Sequence, residues 1–268
     1  MNPVNSSEKA IISPRAKLGK GVSVAPYSII GDNVTIGDGC VIMHHVVIDQ
    51  NTTIGQNCKI YPFCSIGTEP QDITFKGEET RVTIGDNNTI REFTTINRGT
   101  QKGGKVTRIG NNNYLMAYTH IAHDCQVGNQ VIFVNGATLA GHVEVEDSVV
   151  VGAFSSIHQF VRIGRNAYIG GYSIVLQDIL PFAKVSQSRE HYNFYGPNSI
   201  GMMRNGIDRE FINRTKEMFK IIFKSDLNTT QALEKVKKDF KNSEEAQIII
   251  DFVSKTKRGI FKNFKFNV

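Results

Sequence analysis

The 268-residue chain contains no tryptophan, and its four cysteines show no CxxC spacing. Because Cys40, Cys58, Cys64 and Cys125 are scattered, the sequence indicates neither a disulfide framework nor a cysteine-based metal site, and reduced thiols in a cytosol are expected. The first residues, MNPVNSSEKAIISP, lack a basic start followed by an apolar stretch. No run of about 18 apolar residues occurs. A cleaved signal and a membrane-spanning helix are therefore not expected.

Basic residues outnumber acidic residues only in the last third of the chain. From residue 189 to residue 268, 16 Lys and Arg stand against 10 Asp and Glu, whereas residues 1–188 contain 15 of each. The formal net charge of +6 therefore lies on the last third. Such a segment could bind nucleic acid, anionic lipid or an acidic protein, or it could consist of solvated helix faces.

An aliphatic or aromatic residue returns at every sixth position, a period that fits neither an amphipathic helix nor an alternating strand. Three six-residue units would form one triangular coil of eighteen residues, and neighbouring coils would stack about 4.8 Å apart. The glycine that often follows, as at Gly31, Gly37 and Gly55, is expected to provide unusual backbone angles. The repeated positions are Ile12, Leu18, Val24, Ile30, Ile36, Ile42, Ile48, Ile54, Ile60 and Ile66, and later Leu115, Ile121, Val127, Phe133, Leu139, Val145, Val151 and Ile157.

Two polar segments interrupt the repeat, at about residues 68–82 and 97–108, and they are predicted to protrude as loops. Past Gln177 the pattern becomes helical. The sequence predicts one helix capped by Asp208, a second through QALEKVKKDF, and a third through SEEAQIIIDFVSKTK that ends near Gly259. It therefore predicts a mainly β protein, with a parallel β-helix at residues 1–188 and a helical domain at residues 189–268.

Residues eighteen apart should lie above one another on such a prism. The spacing places several residues with polar side chains, and two without, on one edge of the prism. His123, Gly141 and Gln159 form one column, Asp124, His142 and Phe160 form the next, and His158 lies beside the first. A ladder of stacked polar side chains without chemistry is one explanation. Zinc is another, because HIAH contains two histidines. Positions three apart on a strand diverge, so only a site shared between subunits, as in gamma carbonic anhydrases, stays open.

General base catalysis fits this edge better. His123 could take a proton from a hydroxyl or amine that attacks a carbonyl, and Asp124 could stabilise the resulting imidazolium. The backbone N–H of Gly141, one coil away, could bind the oxyanion. The chain has no G-x-S-x-G motif and no suitably paired cysteine, so direct transfer is favoured over a covalent acyl-enzyme.

Motifs over nearly the whole chain resemble those of the acyl-ACP–UDP-N-acetylglucosamine O-acyltransferases, where ACP is acyl carrier protein. The matching segments are QD, GEETRVTIGD, NRGT, HIAHDCQVGN, LAGH, HQF, IGG, GPNSIG and SKTKRGI. The resemblance implies a homotrimer of left-handed parallel β-helices, with active sites between subunits, that acts in the cytoplasm of a Gram-negative bacterium at the start of lipid A synthesis. It implies that acidic ACP is the partner and that the enzyme has no resident cofactor, because 4′-phosphopantetheine arrives on ACP. It also implies no metal, no nucleic acid and no stable membrane insertion.

The resemblance also assigns roles. His123 would deprotonate the sugar 3-hydroxyl, Gly141 would bind the oxyanion, and Gly171 would limit acyl length while leaving room for a long 3-hydroxyacyl chain. Asp72 and His120 match positions that hold the sugar, and Asn198 and Arg204 match positions near the nucleotide and phosphopantetheine. The remaining residues of the expected substrate cleft are Gln71, His142, His158 and Gln159.

Four positions depart from the family pattern. Thr74 stands where lysine is common, Asn97 where histidine is, Ile200 where an acid is, and Asn205 where a second arginine is. Lys76 is expected to share a face with Thr74 and to replace the missing charge in the substrate cleft. Two alternatives therefore stay open: N-acylation of a UDP-3-amino sugar or another nucleotide sugar, and a non-catalytic trimer that binds ACP.

Overall fold

The computed structural model describes residues 5–187 and 192–260. Short strands wind around a three-sided prism, and the predicted eighteen-residue coil is confirmed, because His120 pairs in parallel with Thr138 and Thr138 pairs with Ser156. Each side of the prism is one sheet. Sheet A contains Asn5–Ser6, Ser23–Val24, Val41–Ile42, Lys59–Ile60, Thr89–Ile90, Tyr114–Leu115, Ile132–Phe133, Val150–Val151, Tyr168–Ile169, Ala183–Gln187 and Tyr192–Pro197. Sheet B contains Ile11–Ile12, Ile29–Ile30, Val47–Ile48, Ser65–Thr68, Thr95–Asn97, His120–Ile121, Thr138–Leu139, Ser156–Ile157 and Ile174–Val175. Sheet C contains Lys17–Leu18, Thr35–Ile36, Thr52–Ile54, Arg81–Ile84, Val106–Ile109, Gln126–Val127, Glu144–Val145 and Arg162–Ile163.

The residues at every sixth position fill the interior of the prism. Ile66, Phe133 and Leu139 are fully buried there. Removing such a side chain from water contributes about 1.5–3 kcal/mol, and each coil supplies three of them. The repeat therefore builds its core from local spacing, and the strands can be as short as two residues.

Glycine follows the inward residues for a different structural reason from the one that the sequence suggested. Gly31, Gly37 and Gly55 do not adopt positive φ, so the expectation of unusual backbone angles was wrong for them. A Cβ on Gly37 would lie 2.7 Å from the carbonyl carbon of Gly55 in the next coil. The close stacking of coils therefore requires glycine here. Positive φ occurs two residues later, as at Asn33 and Asn57.

Both interruptions of the repeat leave the prism at the edge where the chain passes from sheet B to sheet C, here called the B–C edge. The first loop comprises residues 69–80 and the second comprises residues 98–105. Both are shorter than the predicted 68–82 and 97–108, because the flanking residues extend the strands. Paired residue numbers differ by 30 across the first loop and by 25 across the second, and the eighteen-residue spacing resumes afterwards.

The chain does not become helical directly after Gln177. Instead, Ala183–Gln187 and Tyr192–Pro197 form an antiparallel pair that extends sheet A. The predicted boundary between residues 188 and 189 lies outside the described residues. Four helices follow in the described part of the chain: α1 at Ser199–Arg204, α2 at Arg209–Lys224, α3 at Thr229–Asp239 and α4 at Glu244–Ser254.

The predicted helices α2, α3 and α4 are confirmed, whereas α1 was not predicted. The Asp208 side chain accepts a hydrogen bond from the N–H of Phe211 and so caps α2. The segment that follows α4 is tied to the prism through buried Asp178, whose carboxylate accepts from the Arg162 N–H at 2.8 Å and the Thr256 hydroxyl at 2.6 Å. The predicted fold class, a β-helix followed by helices, is confirmed. Within residues 5–187 and 192–260, no helix combines the length and apolar character needed to cross a bilayer.

Candidate active site

The B–C edge brings together the column that the sequence spacing predicted. The backbone N–H of His142 donates to the carbonyl of His123 at 3.0 Å, and the N–H of Phe160 donates to the carbonyl of Gly141 at 3.2 Å. These bonds join successive coils at the same corner of the prism. The first and second loops leave from this corner, so the histidines face two irregular segments on a rigid scaffold.

His123 and Asp124 form the centre of the site. The His123 Nδ1 lies 2.8 Å from Asp124 Oδ2. The buried carboxylate also accepts from the Thr100 backbone N–H at 2.9 Å and from the Thr100 hydroxyl at 2.6 Å. An ionised carboxylate only accepts hydrogen bonds, so we assign the imidazole proton to Nδ1. The lone pair of Nε2 is then free to take a proton.

Asp124 is held in its charged form. Burial raises the pKa of its carboxyl, but the hydrogen bonds from His123 and Thr100 together outweigh burial, and the pKa lies below its ordinary value. Asp124 is therefore negative at neutral pH and can orient the ring of His123 and stabilise the imidazolium form. Thr100, in the second loop, was not predicted as a site residue.

His142 completes the imidazole pair. Its ring packs edge-on against His123, with ring centres 5.1 Å apart, and stacks on Phe160 at 4.5 Å. Burial lowers the pKa of His142, an effect only partly opposed by the nearby Asp124 charge. His142 is therefore neutral at pH 7 and adds no positive charge beside His123.

His123, Asp124 and His142 also offer potential metal ligands, with ligand atoms within 4.8 Å of one another. The hydrogen bonds of Asp124 favour a hydrogen-bonded base instead, because Oδ2 already accepts from the Thr100 hydroxyl and from His123 Nδ1. The expectation of no metal stays a prediction, which metal analysis of the purified protein tests.

Gly141 lies directly against the His123 ring. A Cβ at this position would come within 2.7 Å of His123 Nε2. Elsewhere on the prism, a side chain of the next coil accepts a hydrogen bond from the backbone N–H at the turn. Asp38, for example, accepts from the Lys20 N–H at 2.7 Å. Gln159 is the residue of the next coil that corresponds to Asp38, eighteen positions after Gly141. None of the residues that the structure describes accepts a hydrogen bond from the Gly141 N–H. A free peptide donor therefore adjoins the proposed base.

The first loop brings one of its acidic residues, Asp72, to the same site. Asp72 lies close enough for its carboxylate to interact electrostatically with His123 and His142. Asp72 Oδ1 accepts from the backbone N–H of Thr74 at 2.8 Å, and these contacts lower the pKa of Asp72. It is therefore charged and available to bind sugar hydroxyls.

The cation in contact with Thr74 is a lysine of the second loop, and the expected role of Lys76 in the substrate cleft stays a prediction. Lys102 of the second loop donates to the Thr74 hydroxyl at 3.3 Å. Lys76 is exposed, and its backbone N–H donates to the Glu78 carboxylate at 2.9 Å. Gln71, next to Asp72, is also exposed.

Comparisons with known proteins agree with this geometry. The family profile described as "Udp N-acetylglucosamine O-acyltransferase; Domain 2" matches residues 178–261, and the bacterial transferase hexapeptide profile matches residues 15–50 and 107–141. The chain is 50% identical over 260 residues to the acyl-ACP–UDP-N-acetylglucosamine O-acyltransferase of Thermodesulfovibrio yellowstonii, covering 97% of this chain and 99% of the relative. The corresponding enzyme of Alkalilimnicola ehrlichii is 48% identical over 95% of this chain and 98% of its own. This chain belongs to the acyl-ACP–UDP-N-acetylglucosamine O-acyltransferase family.

Solved structures agree with this family membership. The UDP-N-acetylglucosamine acyltransferase of Francisella novicida superposes with a TM-score of 0.94 at 35% identity, covering 97% of this chain and 95% of that one. The enzyme of Campylobacter jejuni superposes with a TM-score of 0.90 at 38% identity, covering 97% of this chain and all of that one.

The other expected cleft residues near the B–C edge have defined surroundings. His120 lies on the outer face of sheet B, where its Nδ1 is 2.7 Å from the Thr95 hydroxyl, and burial lowers its pKa. His158 Nδ1 lies 3.1 Å from the Gln159 carbonyl. Asn97 is buried and donates to the Glu69 carbonyl at 2.8 Å, so this residue holds the start of the first loop.

Three expected residues are not brought to His123 within one chain. Gly171 lies at the edge between sheets A and B, here called the A–B edge. Asn198 is buried; it caps α1 and donates to the Asn166 carbonyl at 3.0 Å. Arg204 ends α1, and Asn205 beside it donates to the Asn166 side chain at 2.6 Å. Gly171 lies within the repeat, so the eighteen-residue spacing was sufficient to find its edge of the prism. Asn198 lies beyond the repeat, so no periodic pattern indicated its contacts.

Proposed function

We propose that the protein transfers a 3-hydroxyacyl chain from ACP to the 3-hydroxyl of UDP-N-acetylglucosamine, the first step of lipid A synthesis. The observation that carries this proposal is the stack of His123, Asp124 and Gly141 at the B–C edge. Relatives that match nearly the full chain are named for this reaction.

The geometry supports a direct transfer. His123 Nε2 takes the proton of the sugar hydroxyl as its oxygen attacks the thioester carbonyl, and Asp124 stabilises the imidazolium that results. The Gly141 N–H stabilises the negative oxygen of the tetrahedral intermediate, a contribution of about 3 kcal/mol. When the carbon–sulfur bond breaks, the imidazolium returns the proton to the departing thiolate. The products are an ester and a free phosphopantetheine thiol.

The second-loop residue Thr100 keeps this arrangement rigid. Its two hydrogen bonds occupy lone pairs on the Asp124 carboxylate and leave Oδ2 directed at His123. The reaction needs no resident cofactor, because 4′-phosphopantetheine arrives on ACP. ACP and a nucleotide sugar are cytoplasmic substrates, so we place the enzyme in the cytoplasm of a Gram-negative bacterium.

The helical segment of this chain provides a suitable surface for binding ACP. The excess of positive charge lies in the last third of the chain, and α2 and α3 expose several lysines. Arg204 at the end of α1 adds a further cation. Such a surface steers an acidic carrier towards the prism and makes the association sensitive to salt.

One assay with a panel of acyl-ACPs tests the function. We expect the purified protein to acylate UDP-N-acetylglucosamine in preference to the corresponding UDP-3-amino sugar, with 3-hydroxyacyl-ACP as donor. Faster turnover of the 3-amino sugar would replace O-acylation by N-acylation, with His123 in the same role. Binding of ACP without turnover of any UDP-sugar would instead identify a non-catalytic trimer.

We propose further that three copies assemble with sheet B facing neighbouring copies. Within the described residues, no strand of sheet B contains Asp, Glu, Lys or Arg, whereas the strands of sheet C contain Lys17, Arg81, Arg108, Glu144 and Arg162. Ile11 and Ile29 expose 66% and 41% of their surface on sheet B. An uncharged sheet face with exposed isoleucines is typical of a surface that a partner covers.

The A–B edge supports the same assembly. Tyr27, His45, Phe63, Phe93 and Tyr118 form a continuous stack along it, with ring centres 4.8–5.2 Å apart. The phenylalanines and tyrosines of this stack expose 42–63% of their surface. A neighbouring copy that covers sheet B could place this edge, which also carries Gly171, against the B–C edge of the first copy. Gly171 could then line the acyl channel of a shared site.

A charge on sheet B should weaken this assembly. Ser156→Glu places a carboxylate on an exposed position of sheet B. If a neighbouring copy covers this position, the carboxylate becomes a buried charge without a partner, which destabilises the assembly by several kcal/mol. We expect the trimer to dissociate at protein concentrations at least about 10²-fold higher than for the unaltered chain. Thr35→Glu, at the equivalent outward position of sheet C, is the matched control. Light scattering measures the masses, and an undiminished trimer for Ser156→Glu would contradict this interface.

A further inference from the structure

The two loops meet at a hydrogen-bonded chain that ends in a cation. Lys102 Nζ donates to the Thr74 hydroxyl at 3.3 Å, and that hydroxyl donates to Asp72 Oδ1 at 2.9 Å. The Asp72 carboxylate lies within electrostatic reach of both Lys102 and His123. Lys102 is therefore linked through Thr74 to an acid within electrostatic reach of His123, and Lys102 itself is exposed.

The charge of Lys102 is not neutralised by a direct ion pair in the described part of the chain. Its recorded partner is a neutral hydroxyl, and an ammonium group has three donors, so further donors remain for a ligand. Arg98, at the start of the same loop, differs in this respect. Arg98 is buried and lies 3.2 Å from the Glu69 carboxylate and 3.5 Å from that of Asp49.

We propose that Lys102 binds the diphosphate of the nucleotide sugar. This inference rests on the proposed function, in which the sugar hydroxyl lies at His123. The diphosphate is attached to the same sugar ring, a few ångströms from that hydroxyl, and it is the most strongly anionic part of the acceptor. Asp72 then contacts the sugar between them, and Thr74 holds Lys102 beside the first loop. Lysine serves well here, because it binds phosphate as a compact point charge.

The test compares Lys102→Gln with Lys102→Arg. Lys105→Gln is the matched control, because Lys105 is an exposed lysine of the same loop with no hydrogen bond to Thr74. Calorimetric titration uses UDP, and uridine as the uncharged probe. Loss of a charge-assisted contact should weaken UDP binding about tenfold in Lys102→Gln and leave uridine binding unchanged. Lys102→Arg should retain most of the UDP affinity.

Turnover measurements separate binding from chemistry. In Lys102→Gln, KM for UDP-N-acetylglucosamine should rise by a similar factor, while KM for acyl-ACP and kcat stay close to those of the unaltered enzyme. Equal UDP affinity in Lys102→Gln and the unaltered protein would overturn the inference, as would an equal loss in Lys105→Gln. Because UDP binding needs no turnover, Lys102-dependent binding without transfer would overturn the proposed function alone. Normal transfer with Lys102-independent binding would overturn the inference alone.

Discussion

Replacing His123 with alanine is expected to lower kcat/KM for acyl transfer by at least about 10²-fold, because the substitution removes the group that accepts the sugar hydroxyl proton. The loss should be largest in kcat, since proton transfer occurs in the transition state. The remaining rate would come from the Gly141 N–H and from substrate binding. Initial rates with 3-hydroxyacyl-ACP and UDP-N-acetylglucosamine measure the change.

Two controls separate chemistry from folding in this variant. The His123 side chain is on an edge of the prism and not in its core, so the molecular mass and thermal unfolding of His123→Ala should match those of the unaltered protein. Added imidazole should restore part of the activity of His123→Ala by supplying the missing base. Turnover equal to that of the unaltered enzyme would remove His123 from the mechanism and, with it, the roles of Asp124 and Thr100.

Replacing Gly141 with alanine is expected to reduce kcat/KM by about 10²-fold, although the peptide N–H is retained. The added Cβ would lie 2.6 Å from His123 Cε1 and 2.7 Å from Nε2, closer than van der Waals contact allows. Because the ring is hydrogen-bonded to Asp124, it can move away only by weakening that bond. A displacement of about 1 Å in a catalytic group can cost this factor in rate. Steady-state kinetics of Gly141→Ala provides the measurement.

A double-substitution cycle tests whether Gly141 acts through His123. If the alanine methyl acts by displacing the ring, Gly141→Ala should change the residual rate of His123→Ala by less than about threefold, since no ring is left to displace. A further 10²-fold loss in that background would contradict the steric account. It would show instead that the change acts on the oxyanion contact or on substrate entry.

Sequence reasoning succeeded where the fold is periodic. The eighteen-residue coil placed His123, Gly141 and Gln159 in one column, and the coil-to-coil hydrogen bonds confirm the stacking of that edge. This prediction is reliable because each coil is formed by local apolar spacing and stacked by its own backbone. The same arithmetic located the loops between repeats, and Asp208 marked the start of α2.

It failed where contacts join segments without a common period. Lys102 was overlooked, because the crossing of two irregular loops cannot be derived from spacing along either one. The helical pattern assumed past Gln177 missed the antiparallel strand pair that extends sheet A, since a sheet edge recruits strands through pairing and not through local propensity. The hydrogen bonds of Asn198, which caps α1 and donates to the Asn166 carbonyl, also join segments without a common period, and its expected place near the nucleotide stays a prediction.

The sequence by itself determined the coil, its register and the neighbours of the base, because an inward apolar residue at each sixth position leaves the backbone one way to stack. Only the tertiary structure decided how that base is controlled. Thr100 reaches Asp124, and Lys102 reaches Thr74, through loops whose closure depends on side-chain contacts between residues that are distant in the chain. Such contacts gain their free energy only after the prism has formed, so no local pattern encodes them.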